Sequence, residues 1–226
     1  MRIGILGGTF NPVHFGHLRA AEEVREQLGL DQVQFIPAGT PPLKRVELAD
    51  ISHRMEMARL AVAGNPGFSV SSLEAERKGP SYTVDTLGEL ARLNPDAELV
   101  FILGADAFLE LPKWKRSDEI IRMADFAIVC RPGVPASGLL NGRYLEVEPR
   151  ALDELDRGER TQAVGSLASG GQMGRKAFVL KTTALGISAT GIRKRIAEGQ
   201  SVSYLLPESV KSFIMSNALY TGDVSG

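Results

Sequence analysis

Cysteine is almost missing from this chain. A single residue, Cys130, among 226 excludes an internal disulfide and fits a reducing compartment. Histidine is scarce too: His14, His17 and His53 are all there are. No apolar run approaches the roughly 20 residues needed to span a bilayer, and no leader precedes the first apolar stretch, so a cytoplasmic protein without a membrane partner is expected. Net charge is also lacking. A formal balance of −1 gives no overall basic field for holding nucleic acid, and any polyanion must be met by local groups. The interleaving of aromatic and basic residues that marks RNA-binding surfaces is missing as well. No Ser-His-Asp arrangement, pair of catalytic carboxylates or internal repeat is found.

What the chain does have is length for one sizeable core, with an ordinary globular composition. Its most informative stretch is Gly7 to His17, read Gly-Gly-Thr-Phe-Asn-Pro-Val-His-Phe-Gly-His, between the apolar run Ile3–Leu6 and a helical pattern beginning near Leu18. Gly7 and Gly8 let a backbone turn sharply off a strand and approach a ligand closely. The helix N-terminus that follows favours anions through unpaired amides and the macrodipole. His14 and His17, three apart, put two imidazoles at the same place. Two other readings stand beside this one: a plain strand-to-helix turn, and a pair of zinc ligands. Zinc finds no partners at ligand spacing in His53, Cys130 or the scattered carboxylates.

Leu18, Ala21, Val24 and Leu28 continue the helix, Gly29 closes it, and Val33–Ile36 read as a second strand. This is a βαβ unit, so the fold class is α/β with a right-handed parallel crossover. The proline-rich loop Pro37–Arg45 delivers Lys44 at the carboxyl end of the second strand, where open α/β sheets bind ligands. A helix is expected over Asp50–Ala63 with Ile51, Met55, Ala58 and Val62 as its stripe, then a short strand from Phe68 and a solvated loop over Glu74–Lys78. Pro80-Ser81-Tyr82-Thr83 opens another helix with Ser81 as N-cap. The strand Glu98–Leu103 runs into Gly104-Ala105-Asp106, where Asp106 either meets ribose hydroxyls or caps the next helix. Trp114 follows on a loop, to stack on a planar ring or to pack. A helix over Ser117–Ala124 and a strand over Phe126–Cys130 make Cys130 a core thiol, and Arg131 ends that strand. Over 134–175 the pattern weakens, with a helix suggested only at Ala151–Leu155, as in a mobile or inserted segment. A strand resumes at Ala177–Leu180. Ile187-Ser188-Ala189-Thr190-Gly191-Ile192-Arg193 starts a helix whose Ser188 cap, Thr190 hydroxyl and Arg193 make a second anion site, with Lys194 and Arg195 facing solvent. A last amphipathic helix covers Pro207–Leu219.

Several of these stretches together resemble one family. His14-Phe15-Gly16-His17 is similar to the His-x-Gly-His signature of the nucleotidyltransferase superfamily, and the Pro-Ser-Tyr-Thr, Cys-Arg-Pro-Gly and Ile-Ser-Ala-Thr-x-Ile-Arg stretches resemble those of bacterial nicotinate-nucleotide adenylyltransferases. The resemblance implies a Rossmann-like doubly wound parallel sheet of nucleotidyltransferase type with C-terminal helices. It implies one domain, 1–226, with 134–175 variable and 187–226 helical. It further implies transfer of the adenylyl group of ATP to nicotinate mononucleotide with loss of pyrophosphate, in NAD biosynthesis, with Mg²⁺ accompanying ATP. Carried over residue by residue, Gly7, Gly8, Thr9 and Phe10 surround ATP, while His14 and His17 meet its phosphate chain. Lys44 approaches the phosphates, although Leu43 replaces a family histidine beside it. Gly104, Asp106 and Arg131 fall on the adenosine side, and Ile187, Ser188, Thr190 and Arg193 on the pyrophosphate side. His14, His17, Lys44 and Arg193 are the expected catalytic groups. Ser81, Tyr82 and Thr83 are expected at the nicotinate carboxylate and Trp114 on the pyridine. The alternatives are an adenylyltransferase for nicotinamide mononucleotide or phosphopantetheine, and a nucleotide-binding module without catalysis.

Overall fold

The computed structural model describes residues 1–41, 48–130, 133–169, 172–183 and 185–222. Its elements begin with β1 (Arg2–Gly8), α1 (Phe15–Leu28), β2 (Gln32–Pro37), α2 (Ile51–Val62), β3 (Phe68–Val70) and α3 (Leu73–Glu76). They continue with α4 (Thr83–Leu93), β4 (Glu98–Gly104), α5 (Ala105–Leu109), α6 (Ser117–Met123) and β5 (Asp125–Cys130). The remainder are β6 (Leu145–Glu146), α7 (Pro149–Arg157), β7 (Gln162–Ser169), β8 (Gln172–Lys181), α8 (Ala189–Ala197) and α9 (Glu208–Ser216).

The strands form one eight-stranded sheet in the order β3-β2-β1-β4-β5-β8-β7-β6. Its first five positions have the order 3-2-1-4-5 of Rossmann-like doubly wound sheets, as expected from sequence. The order reverses beside β1, whose residues Arg2–Leu6 pair in parallel with Glu98–Ile102 of β4. Both strands therefore end at the same sheet edge, the one where such folds hold ligands. β4 pairs in parallel with β5, and β5 with β8. Val100–Leu103 and Phe126–Val129 are almost wholly buried, which is why these strands read as continuous apolar runs rather than alternating ones.

The chain packs as two compact units. One comprises Met1–Leu6, Ala20–Val33 and Tyr82–Ala184; the other comprises Gly7–Arg19, Gln34–Ser81 and Leu185–Gly226. In the first unit, β7 returns antiparallel on β8 and β6 pairs antiparallel with β7, so the parallel sheet expected from sequence ends in an antiparallel flap. The reason is local: Ser169 pairs with Gln172, and strands joined that tightly must run antiparallel. The segment 134–175 is thus richer in regular structure than its patterning suggests. Leu152, Leu155, Ala163 and Leu167 bury its apolar residues, but glycine and serine between them blur the period.

In the second unit α2 is capped by Asp50, whose carboxylate accepts from the Ser52 amide at 2.8 Å. Where a solvated loop was expected after β3, the short helix α3 forms and buries Glu74. Among the described residues no helix is long and apolar enough to cross a membrane.

Candidate active site

The turn after β1 is built around two rings that need room. A Cβ at Gly8 would lie 2.9 Å from the Phe10 ring, and one at Gly16 would lie 3.0 Å from Cε1 and Nδ1 of His14. Both positions therefore tolerate only glycine without a shift. Phe10 adopts a positive φ of 47° and is 2% exposed, packed against Phe35 with its ring also edge-on to His17. Only its backbone is available to a ligand. Gly7 is exposed and Gly8 and Thr9 half-exposed, so this turn presents main chain.

His14 immediately precedes α1, its carbonyl accepting from the amides of His17 and Leu18. The two imidazoles stack, with centroids 3.7 Å apart. The His14 amide donates to Nδ1 of His17 at 3.3 Å. An accepting Nδ1 places the proton of the imidazole on Nε2. The pair lies at a helix N-terminus; among the described residues no group of three or more His, Cys, Asp or Glu is placed to hold a metal.

The second motif arrives at the same turn. Ser188 is the N-cap of α8, its hydroxyl accepting from the Gly191 amide at 3.0 Å as expected. Arg193 Nη1 donates to the Asn11 carbonyl at 2.7 Å and Nη2 to Thr190 Oγ1 at 3.3 Å. Two stretches 182 residues apart are thus joined by one guanidinium. Ile187 is half-buried, Ser188 and Thr190 are exposed, and Lys194 and Arg195 face solvent.

Sequence reasoning missed the group that holds this region together. Arg54, 1% exposed, donates from Nε to the Ala49 carbonyl (2.9 Å) and from Nη1 to Thr9 (2.9 Å) and Ala38 (2.6 Å). Its Nη2 donates to Gly39 (3.0 Å). It ties the loop after β1 to the loop after β2 and to the start of α2. Burial lowers its pKa, opposed by Tyr220 and Asp50, yet an arginine stays charged, so a cation sits beneath the turn. The available signal was its position: residue 54 falls on the same face of α2 as Ile51 and Ala58, a charged residue inside an apolar stripe. Asn11, also unassigned from sequence, is 3% exposed and accepts at Oδ1 from the Ala49 amide (3.1 Å) and the Tyr220 hydroxyl (2.7 Å).

Ser81 does not cap the helix that follows it. Its hydroxyl accepts from the amides of Gly39 (3.1 Å) and Thr40 (3.4 Å), and its own amide donates to the Thr40 carbonyl (2.9 Å). The cap position belongs to Tyr82, which supplies no side-chain bond to the first turn of α4. The reason is competition: two loop amides need an acceptor, and Ser81, buried beside them, is taken.

In the other unit, α4 begins at Thr83, and its N-cap Tyr82 makes no side-chain bond to the first turn. Lys115 Nζ lies 4.0 Å over the Tyr82 ring and 3.4 Å from Asp85. Trp114 is half-buried, its indole edge-on to Phe101 with centroids 6.3 Å apart. Asp106 is exposed in the first turn of α5, whose N-cap is Gly104; the capping alternative for Asp106 is not the arrangement found. Lys44, with Leu43 beside it, and Arg131 lie outside the described residues. Burial pushes the Cys130 thiol up to about 11, which suits a packing role and not a nucleophile.

A Rossmann-like doubly wound sheet is the frame of many nucleotide-binding α/β proteins, and the comparisons with known proteins agree with that class. The cytidylyltransferase-like family matches residues 5–195. A probable nicotinate-nucleotide adenylyltransferase of Acidithiobacillus ferrooxidans is 43% identical over 96% of this chain and 94% of its own length. One of the same name from Trichlorobacter lovleyi is 43% identical over 97% and 99%. Among solved structures, Plasmodium falciparum nicotinic acid mononucleotide adenylyltransferase complexed with NaAD has a TM-score of 0.71 at 16% identity, covering 97% of each chain, and shares the fold. The chain belongs to the nicotinate-nucleotide adenylyltransferases of the cytidylyltransferase-like family.

Proposed function

We propose that the protein transfers the adenylyl group of ATP to nicotinate mononucleotide, giving nicotinate adenine dinucleotide and pyrophosphate. The observation that carries this reading is the join between the two anion motifs: Arg193 of the Ser188–Arg193 helix start bonds the Asn11 carbonyl inside the Gly7–His17 turn at 2.7 Å. Its helix start and the histidine pair then serve one triphosphate. The names of the relatives and the NaAD-bound neighbour support the choice of acceptor.

The chemistry asks for no protein nucleophile. The acceptor's phosphate is already largely dianionic near neutral pH, its second pKa being about 6. The obstacle is repulsion between two anions. Holding both reactants in line lowers the barrier by up to roughly 7–11 kcal/mol, and fixed donors aimed at developing charge contribute further. His17, with Nε2–H as donor and His14 stacked on it, is assigned to the phosphate chain. Arg193, the Thr190 hydroxyl and the first amides of α8 are assigned to the departing pyrophosphate, with Lys44. The main chain of Gly7–Phe10 and the region of Gly104, Asp106, Arg131 and Ile187 are assigned to the rest of ATP. The start of α4, at Tyr82 and Thr83, where Tyr82 makes no side-chain cap bond, suits a carboxylate, and the Trp114 indole a pyridine ring. Ser81 contributes by holding residues 39 and 40.

Mg²⁺ is part of the proposal. With no three-residue ligand cluster among the described residues, a magnesium ion here would be held by phosphate oxygens and water, with few protein ligands, and would supply neutralisation of phosphate charge. The discriminating experiment measures pyrophosphate release from Mg·ATP with nicotinate mononucleotide, nicotinamide mononucleotide or phosphopantetheine as acceptor. Preference for the first is expected. Equal rates with the amide would refute the carboxylate assignment, and ATP binding without pyrophosphate from any acceptor would favour a non-catalytic module.

A further inference from the structure

We infer that Tyr220 is a positioning residue for Arg193, acting through Asn11. The inference rests on the phosphate-side role proposed for Arg193. Beyond α9 the chain reverses: the Leu219 amide donates to the Ile214 carbonyl (3.0 Å) and the Ala218 amide to Met215 (3.2 Å). That bond pair is a Schellman turn, in which the residue at Ala218 must take a left-handed conformation. Ala218 does so with φ 48°, and Tyr220 repeats it with φ 64°. Two non-glycine residues held in this region within three positions is a costly backbone, and it persists only where surrounding contacts fix it.

The contact that repays the strain is the Tyr220 hydroxyl, donating to Asn11 Oδ1 at 2.7 Å. The same oxygen accepts from the Ala49 amide at 3.1 Å. Gripped from both sides, the buried Asn11 is fixed, and so is its main-chain carbonyl. That carbonyl takes Arg193 Nη1 at 2.7 Å, while Thr190 Oγ1 takes Nη2 at 3.3 Å. The guanidinium is held by two acceptors, one of them set by Tyr220. Burial raises the pKa of Tyr220, so the hydroxyl remains a donor across the working range of the enzyme. A guanidinium fixed before phosphate arrives loses less freedom on binding and stands where charge develops.

Tyr220→Phe keeps the ring and removes only the donor. In the full chain, it is expected to weaken Mg·ATP binding in calorimetric titration and to lower kcat/KM for ATP, each about 5- to 30-fold, as loss of one buried hydrogen bond and some misplacement imply. KM for the acceptor should barely move, and the thermal midpoint should fall by only a few degrees, as loss of about 1 kcal/mol of buried hydrogen bonding implies. The reading that separates positioning from general support is the double variant: in an Arg193→Ala background, Tyr220→Phe should cost less than twofold. Unchanged ATP binding and kcat/KM in Tyr220→Phe, or its full cost persisting without Arg193, would overturn the inference. If Arg193→Ala itself binds and uses ATP normally, the phosphate-side assignment of Arg193 fails first and the positioning role falls with it. If Arg193→Ala is impaired while Tyr220→Phe is not, only the positioning role is lost. The titration is read on ATP alone, so a wrong acceptor leaves the result intact.

Discussion

Replacing Arg54 tests whether one buried cation organises the phosphate turn. Its guanidinium donates four hydrogen bonds, at 2.6–3.0 Å, to carbonyls from three separate segments. Arg54→Met retains much of the volume and supplies no donor, leaving those acceptors facing an apolar side chain. A buried acceptor stripped of its partner costs about 1–3 kcal/mol. Four would sum to about 4–12 kcal/mol, an upper bound, because carbonyls keep a second lone pair and the loops relax. A loss of about 3–5 kcal/mol, at the upper end for a single substitution that breaks a buried hydrogen-bond network, is expected, against a total stability of roughly 5–15 kcal/mol. Arg54→Lys should lose about half as much, since one ammonium reaches some of these carbonyls but cannot fork between them. Urea titration with an unchanged m-value gives the number directly. A Met variant within about 1 kcal/mol of the parent would show that the carbonyls are satisfied without Arg54 and that the bonding does not hold the loops.

The roles proposed for Trp114 and His17 are separated by comparing Trp114→Ala with His17→Ala. The first should raise acceptor KM about 2- to 12-fold, as loss of aromatic stacking implies, with little change in ATP binding. The second should lower kcat about 10²-fold at saturating ATP, comparable to removing one preorganised donor, whichever acceptor is supplied. Ala218→Gly should stabilise by about 0.5–1 kcal/mol, because relief of roughly 1–2 kcal/mol of left-handed strain outweighs glycine's extra unfolded-state entropy; equilibrium urea unfolding measures it. Alkali should weaken the fold through Cys130, whose thiol is held protonated to about 11 against an ordinary 9.0. A raised pKa contributes stability fully below the unfolded value and loses it as pH climbs through the folded one. The stability advantage of the parent over Cys130→Ala should therefore shrink between pH 9 and about 11, read as the difference in urea midpoints, while Tyr220 titrates alike in both.

The parts of the site carried by backbone were legible in the sequence. Gly7–His17 announces a strand, a turn and a helix start because glycines, a proline and the period of Leu18, Ala21, Val24 and Leu28 all agree. Ser188 was legible for the same reason, since an N-cap is a local device. What stayed hidden depends on partners far along the chain. Nothing near Arg54 says that carbonyls of Thr9, Ala38 and Gly39 await it, and nothing near Tyr220 points to Asn11, 209 residues away. Ser81 shows the converse error. Its surroundings spell a helix cap, but two amides from residues 39 and 40 compete for the same oxygen and win. The antiparallel flap of β6 and β7 escaped because its apolar positions are separated by small and charged residues, so neither period dominates.

The strands at the two ends of the sheet are its shortest: β3 has three residues and β6 two. A terminal strand offers its outward amides and carbonyls to any extended chain that passes, and the offer grows with its length. Here neither end presents enough of a ladder to nucleate pairing with another molecule. Long apolar strands such as β4 and β5 lie inside the sheet with both edges occupied. The order of strands therefore acts as a safeguard against uncontrolled polymerisation, and lengthening β3 or β6 by a few alternating apolar residues would remove it.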